Sequence, residues 1–112
     1  MNINTDIQSM THDQIRDLFT GKSRRMPNGK RAALASFNPE ASFFNQRLLQ
    51  MTDADVAAVW SRLRFSGRTP PPRAFDTPQQ VVNFVARTPN ALAYLPASAA
   101  RADVRVISNL PR

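Results

Sequence analysis

"DTPQQVVNFVARTPNALAYLP", residues 76–96, decides the fold, because within it a helical repeat gives way to a short apolar run. Thr77 is placed to cap a helix, Pro78 suits the first helical position, and Gln80, three residues after the cap, closes a capping box. Val81, Val82 and Val85 are then available for a core, and Asn90 can take the left-handed turn that ends the segment. The apolar run that follows, Asn90 to Pro96, is too short for a helix and reads as a strand. A capped helix feeding a strand is a building unit of an α/β domain.

The same grammar recurs upstream. In "SMTHDQIRDLF" (9–19) Thr11 and Gln14 form a capping box, Ile15, Leu18 and Phe19 make the buried stripe, and Gly21 is suited to the left-handed exit. In "SFNPEASFFNQRLLQM" (36–51) Asn38 reads as the cap, Pro39 as the first helical residue and Glu40 as an acid near the positive pole, with Phe44, Leu48 and Met51 inward. In "MTDADVAAVWSRLRFSG" (51–67) Thr52 caps, Asp53 and Asp55 occupy the first turn, and Val56, Val59, Trp60 and Leu63 share a face that stops at Gly67.

Apolar runs at 31–37 and 102–108 add strands to the one at 90–96, and "NINTDI" (2–7) supplies a fourth. "GRTPPPRAFDTP" (67–78) reads as a stiff proline loop and "PASAARA" (96–102) as a connector. The expectation is one α/β domain spanning 1–112, with a small mixed or mainly parallel sheet of three to four strands flanked by about four helices.

Fifteen basic residues against eight acidic ones give a net charge of +7, which draws anionic partners. The chain has no cysteine, which removes disulfides and thiolate chemistry, and no apolar run long enough to span a membrane. Its histidine, His12, falls in the first turn of a capped helix, and Asp13 and Asp17 read as an exposed face flanking Arg16. With no glycine-rich cradle and no acid–base or metal-ligand constellation, the expectation is a non-enzymatic protein without cofactor or metal.

The basic stretch "FTGKSRRMPNGKR" (19–31) admits two readings. Lys22, Arg24, Arg25, Lys30 and Arg31 can neutralise phosphates, as in a small nucleic-acid-binding domain. Alternatively it is a solvated loop turning at Pro27, Asn28 and Gly29, with no interleaved aromatic for base stacking. A second run, Arg62, Arg64, Arg68 and Arg73 around Phe65, reads as cations at a helix end. The helix start at Asn38 to Ser42 offers unpaired N–H groups and a hydroxyl that can hold an oxyanion.

Four segments in order, "LFTGKSRRMPNGKR" (18–31), "ASFNPEASFFNQRLL" (35–49), "VWSRLRFSGRTPPPR" (59–73) and "VVNFVARTPNALAYLP" (81–96), resemble the phosphate-type substrate-binding proteins of bacterial ABC transporters. The resemblance implies one lobe of a periplasmic binding protein, an exported, periplasmic location with the leader outside this sequence, and binding of a small phosphate-like anion or of a protein partner. It places the ligand at Asn38, Glu40, Ser42 and Phe43. Ser42 carries the family's chemistry over unchanged, whereas Asn38 stands for its arginine and Phe43-Phe44 for its Gly-Thr pair. Met26 replaces a tryptophan of the turn. A single lobe leaves one side of an anion open to water, so the resemblance implies the lobe's fold more than transporter-grade capture.

Overall fold

Strand β1 (Ala33–Phe37) runs between β2 (Arg73–Phe75) and β3 (Ala91–Leu92), parallel to both, in the order β2-β1-β3. This computed structural model of the chain describes residues 1–7, 9–66, 71–99 and 104–106. Among them are four α-helices: α1 (His12–Phe19), α2 (Ala41–Phe44), α3 (Asp53–Ser66) and α4 (Pro78–Arg87). The expected α/β domain with a small parallel sheet is the observed one.

The helix starts follow local hydrogen-bond chemistry. Thr11 accepts from the Gln14 N–H while the Gln14 side chain accepts from the Thr11 N–H, and Thr77 and Gln80 repeat the exchange at α4. Thr52 Oγ1 accepts from the Asp55 N–H at 3.1 Å. Gly21 follows α1 with φ of 75° and Asn90 precedes β3 with φ of 60°, the left-handed exits expected at both places. A Cβ at Gly21 would run into the Leu63 side chain, so the missing side chain also lets α3 approach the end of α1.

Alternation along β1 sorts the core into two clusters on opposite faces of the sheet. Ala35 and Phe37 pack with Val81, Phe84 and Val85 of α4 and with Ala91. Leu34 packs the other way, against a cluster of Ile15, Leu18 and Phe19 of α1 with Phe44, Leu48, Leu49 and Leu92. In that second layer the Phe44 and Tyr94 rings stack at 3.8 Å, and Phe19 meets Phe44 edge-on at 4.9 Å. Burial pushes the Tyr94 phenol up, an effect offset in part by hydrogen bonds to Ser36 and to the Phe37 backbone.

Helix α3 leans on this layer through Trp60, its buried residue, whose indole N–H donates to the Phe19 carbonyl at 2.9 Å. Phe65, near the far end of α3, is 95% exposed. On the opposite side Asn2 is buried. Its side-chain amide donates to the Val85 and Thr88 carbonyls, both at 2.9 Å, and so satisfies the carboxyl end of α4.

Four expectations need correction. Residues 2–7 are not a strand: Asn2 makes an isolated bridge to Val104, and the chain then turns, the Thr5 N–H donating to the Asn2 carbonyl. Of the strand at 102–108, Val104 takes part in that bridge, Arg105 and Val106 are not strand, and the rest lies outside the described residues, as do Gly67, Arg68 and most of the 96–102 connector beyond Ala99. The proline loop at 67–78 contains β2, so Arg73 is a strand residue and not a helix-end cation.

The helix expected from Asn38 is broken into a 3-10 turn (Asn38–Glu40), α2 and a π turn (Asn45–Leu49). Phe37, not Asn38, occupies the cap position, because the Asn38 side chain is used elsewhere, donating to Asp76 at 2.8 Å. The wider π turn carries both Leu48 and Leu49 inward and closes on Gln50 with φ of 57°.

Trp60→Ala is expected to lower the unfolding free energy by about 3–5 kcal/mol, as for a buried aromatic. Trp60→Phe keeps most of the ring but leaves the Phe19 carbonyl unpaired, for a loss of about 1–3 kcal/mol. Denaturant unfolding followed by circular dichroism measures both, and an unchanged midpoint for Trp60→Ala contradicts the packing.

Candidate functional site

Open parallel sheets bind ligands beyond the carboxyl ends of their strands. Here that edge carries the four residues singled out in the sequence, and two of them, Asn38 and Ser42, are bonded to carboxylates. Ser42 donates its hydroxyl proton to the Asp53 carboxylate, and Asn45 Nδ2 donates to the same group at 3.0 Å. These hydrogen bonds, Ser42 first and Asn45 second, hold the Asp53 carboxyl below its ordinary range. Asn38 donates to Asp76, the residue after β2. Glu40 is half-buried, and the Arg47 guanidinium lies over the Phe43 ring at 5.6 Å.

Ser42 is therefore already a donor to an internal anion. A phosphate at this place would have to displace Asp53, a group of its own charge sign. The short 3-10 and α2 turns here also replace the long helix start on which the anion reading relied.

The opposite edge has the other electrostatic sign. The register sets Ala35 beside Arg73, so Ala33 and Leu34 run past the start of β2. Pro71 and Pro72 come just before Arg73, and neither has the N–H needed to extend the ladder. β2 thus begins two residues later than β1, and a cavity of about 400 Å³ lies beside that uncovered edge of β1. Leu18, Leu34 and Phe84 give it an apolar floor and Pro71 a wall, while Arg24, Arg31, Arg73 and Ser23 stand along its rim. No carboxylate is among these lining residues.

The basic stretch 19–31 supplies two of the three arginines because it is ordered as a hairpin. The Ala32 N–H donates to the Arg24 carbonyl at 3.0 Å, Arg25 bridges Arg31, and the Met26 N–H donates to the Lys30 carbonyl at 2.7 Å. Gly29 takes φ of 80° at the tip. Met26 is buried beneath the turn, and Asn28 donates to the Asn90 side chain at 3.2 Å, which pins the hairpin to the α4–β3 turn. Arg25 and Arg31 face each other as like charges. Arg25 turns away, donating to the Gly29 carbonyl at 2.9 Å.

Arg73 arrives from β2. Its guanidinium carbon lies 5.6 Å from the centre of the Phe75 ring and 5.7 Å from that of Phe84. Sequence reasoning placed Arg73 with the wrong element. The signal that could have found it is the spacing of Arg73 and Phe75, which a strand puts on one face.

Among the described residues no group of three or more histidine or acidic side chains is placed to hold a metal ion, and no helix is long and apolar enough to cross a membrane. No protein-family model matches the chain, and neither a curated protein nor a solved structure matches it.

The lowered Asp53 group contributes stability that is present above the ordinary carboxylate range and is lost as pH falls through its own, lower value. Ser42→Ala removes the larger cause, so the Asp53 titration is expected to move up towards that of an ordinary aspartate. Carboxyl carbon NMR across an acid titration reads the shift, and an unmoved Asp53 would mean that the Ser42 contact is not made in solution.

Proposed function

We propose that this protein is a non-enzymatic binding protein for a small organic anion, and that the ligand occupies the groove at the amino end of the sheet. The observation that carries the reading is the convergence of Arg24, Arg31 and Arg73, from two separate basic runs, around one apolar cavity. A volume of about 400 Å³ falls in the range of small-molecule sites, which pair apolar walls with a few placed polar groups. The likeness to phosphate-type receptors implies a small phosphate-like anion; the groove reading keeps an anion as ligand, adds an apolar body to it and changes the place. Asp53 and Asp76 stand at the Ser42 edge, whereas the groove lining is purely cationic where it is charged.

A second reading, an oligonucleotide laid on the hairpin, rests on the net charge of +7 and on the exposure of Lys22, Arg24, Arg25, Lys30 and Arg31. Salt separates the two. Binding of single-stranded DNA through several phosphates falls steeply with salt and is lost when Arg24, Arg25 and Lys30 are neutralised together.

The test is amide NMR mapping with naphthoate, inorganic phosphate and a short single-stranded DNA. Naphthoate at millimolar concentration is expected to move residues 23–34 and 73 and to spare 38–44. Arg24→Ala with Arg31→Ala should weaken it by about tenfold or more, the worth of one charge-assisted hydrogen bond. Movement confined to 38–44 with phosphate would return the site to Ser42, and no movement with any probe would reject the anion reading.

A further inference from the structure

The three groove arginines are not equivalent. Arg24 and Arg31 come from the hairpin. Arg73 sits on the sheet, and its guanidinium lies against two rings, Phe75 from its own strand and Phe84 from α4. Phe84 is buried, and the two rings pack on each other at 5.6 Å, so the shelf under the cation is fixed by the core. Phe84 also floors the groove. One ring thus touches both the cation and the cavity.

We infer that Arg73 is the residue that determines the ligand's acid group, and that the site takes an apolar body ending in an acid that presents at least two terminal oxygens side by side, a carboxylate or a phosphate monoester. The inference rests on the groove reading above. A guanidinium stacked on aromatic faces keeps its in-plane N–H edge for a partner, and that edge matches two oxygens side by side. The fixed ring shelf removes rotamer freedom before the ligand arrives, so little is lost on binding. The apolar body then lies over Phe84, Leu18 and Leu34. Lysine presents one compact charge and cannot reproduce either the stacking or the fork, so it is a poor substitute at this position although it keeps the charge.

The groove has room for the body and none of the lining carboxylates that would select a cation. Inorganic phosphate satisfies the arginine and leaves the apolar floor unused, so it binds more weakly than an acid carrying a hydrocarbon part. A neutral alcohol of the same shape uses the floor alone.

The experiment measures dissociation constants by NMR and calorimetry for the full chain and its Arg73→Lys, Arg73→Ala and Phe75→Leu variants. The probes are naphthoate, naphthyl phosphate, inorganic phosphate and the neutral naphthalenemethanol. Arg73 is exposed, so its variants are expected to melt as the parent does. The expected result is that the two organic acids bind the parent best, that Arg73→Lys and Arg73→Ala both weaken them by about tenfold or more, and that Phe75→Leu weakens them by a smaller factor. Naphthalenemethanol is expected to be indifferent to all three substitutions. Naphthoate against naphthyl phosphate then tells which acid is preferred.

The inference is overturned if Arg73→Lys binds the acids as the parent does, or if inorganic phosphate binds as tightly as naphthyl phosphate. In either case shifts of residues 23–34 in the parent would still support the groove. Absence of any binding by the parent removes the groove reading and this inference with it.

Discussion

Both edges of β1 carry a parallel strand, and that arrangement governs everything around it. A parallel pair cannot be closed by a tight turn, so the chain must leave the carboxyl end of one strand and return to the amino end of the next. The first return runs through 38–72 and brings in α2, the π turn and α3, and the second is α4. The returning helices cover both faces of the sheet. Ala35, Val81 and Ala91 meet with no exposed surface at all, which requires two of the three to be small. The opposite layer is filled by rings, Phe19, Phe44 and Tyr94, and is tied to α3 by the Trp60 hydrogen bond.

The same topology separates charge. Residues that follow strands gather at the carboxyl edge, where Asp76 and Asp53 hold Asn38 and Ser42. Residues that precede or begin strands gather at the amino edge, where Arg24, Arg31 and Arg73 line one cavity. Like charges repel at hydrogen-bonding range, so an edge lined by carboxylates disfavours a further negative group and an edge lined by arginines favours one. The uncovered edge beside the groove has a simple origin, two prolines without N–H groups placed where β2 would have to lengthen.

Much of the architecture was written in short-range chemistry. Thr11 with Gln14 and Thr77 with Gln80 form the reciprocal caps that their spacing implies, and Asn90 takes the left-handed turn. The inward faces of α1 and α4 follow from their periodicity. β2 was hard to read, because the Arg73–Phe75 spacing is its one local signal and three residues become a strand only by pairing with β1. The capping role read for Asn38 failed for a related reason. Its side chain met Asp76, which lies far away in sequence. Residues 2–7 looked extended, yet Asn2 does its work through a side-chain amide on α4.

Taken alone, the sequence determined where α1 and α4 begin, which of their faces turn inward and that the chain is basic, because caps, turns and periodicity are settled within a few residues of chain. The tertiary structure decided which basic residues share a place. Arg24 and Arg31 come from a hairpin and Arg73 from a strand, and they converge because the parallel register sets Arg73 beside Ala35. Register is fixed by hydrogen bonds between residues distant in sequence and by core packing on both faces, and no local pattern encodes it.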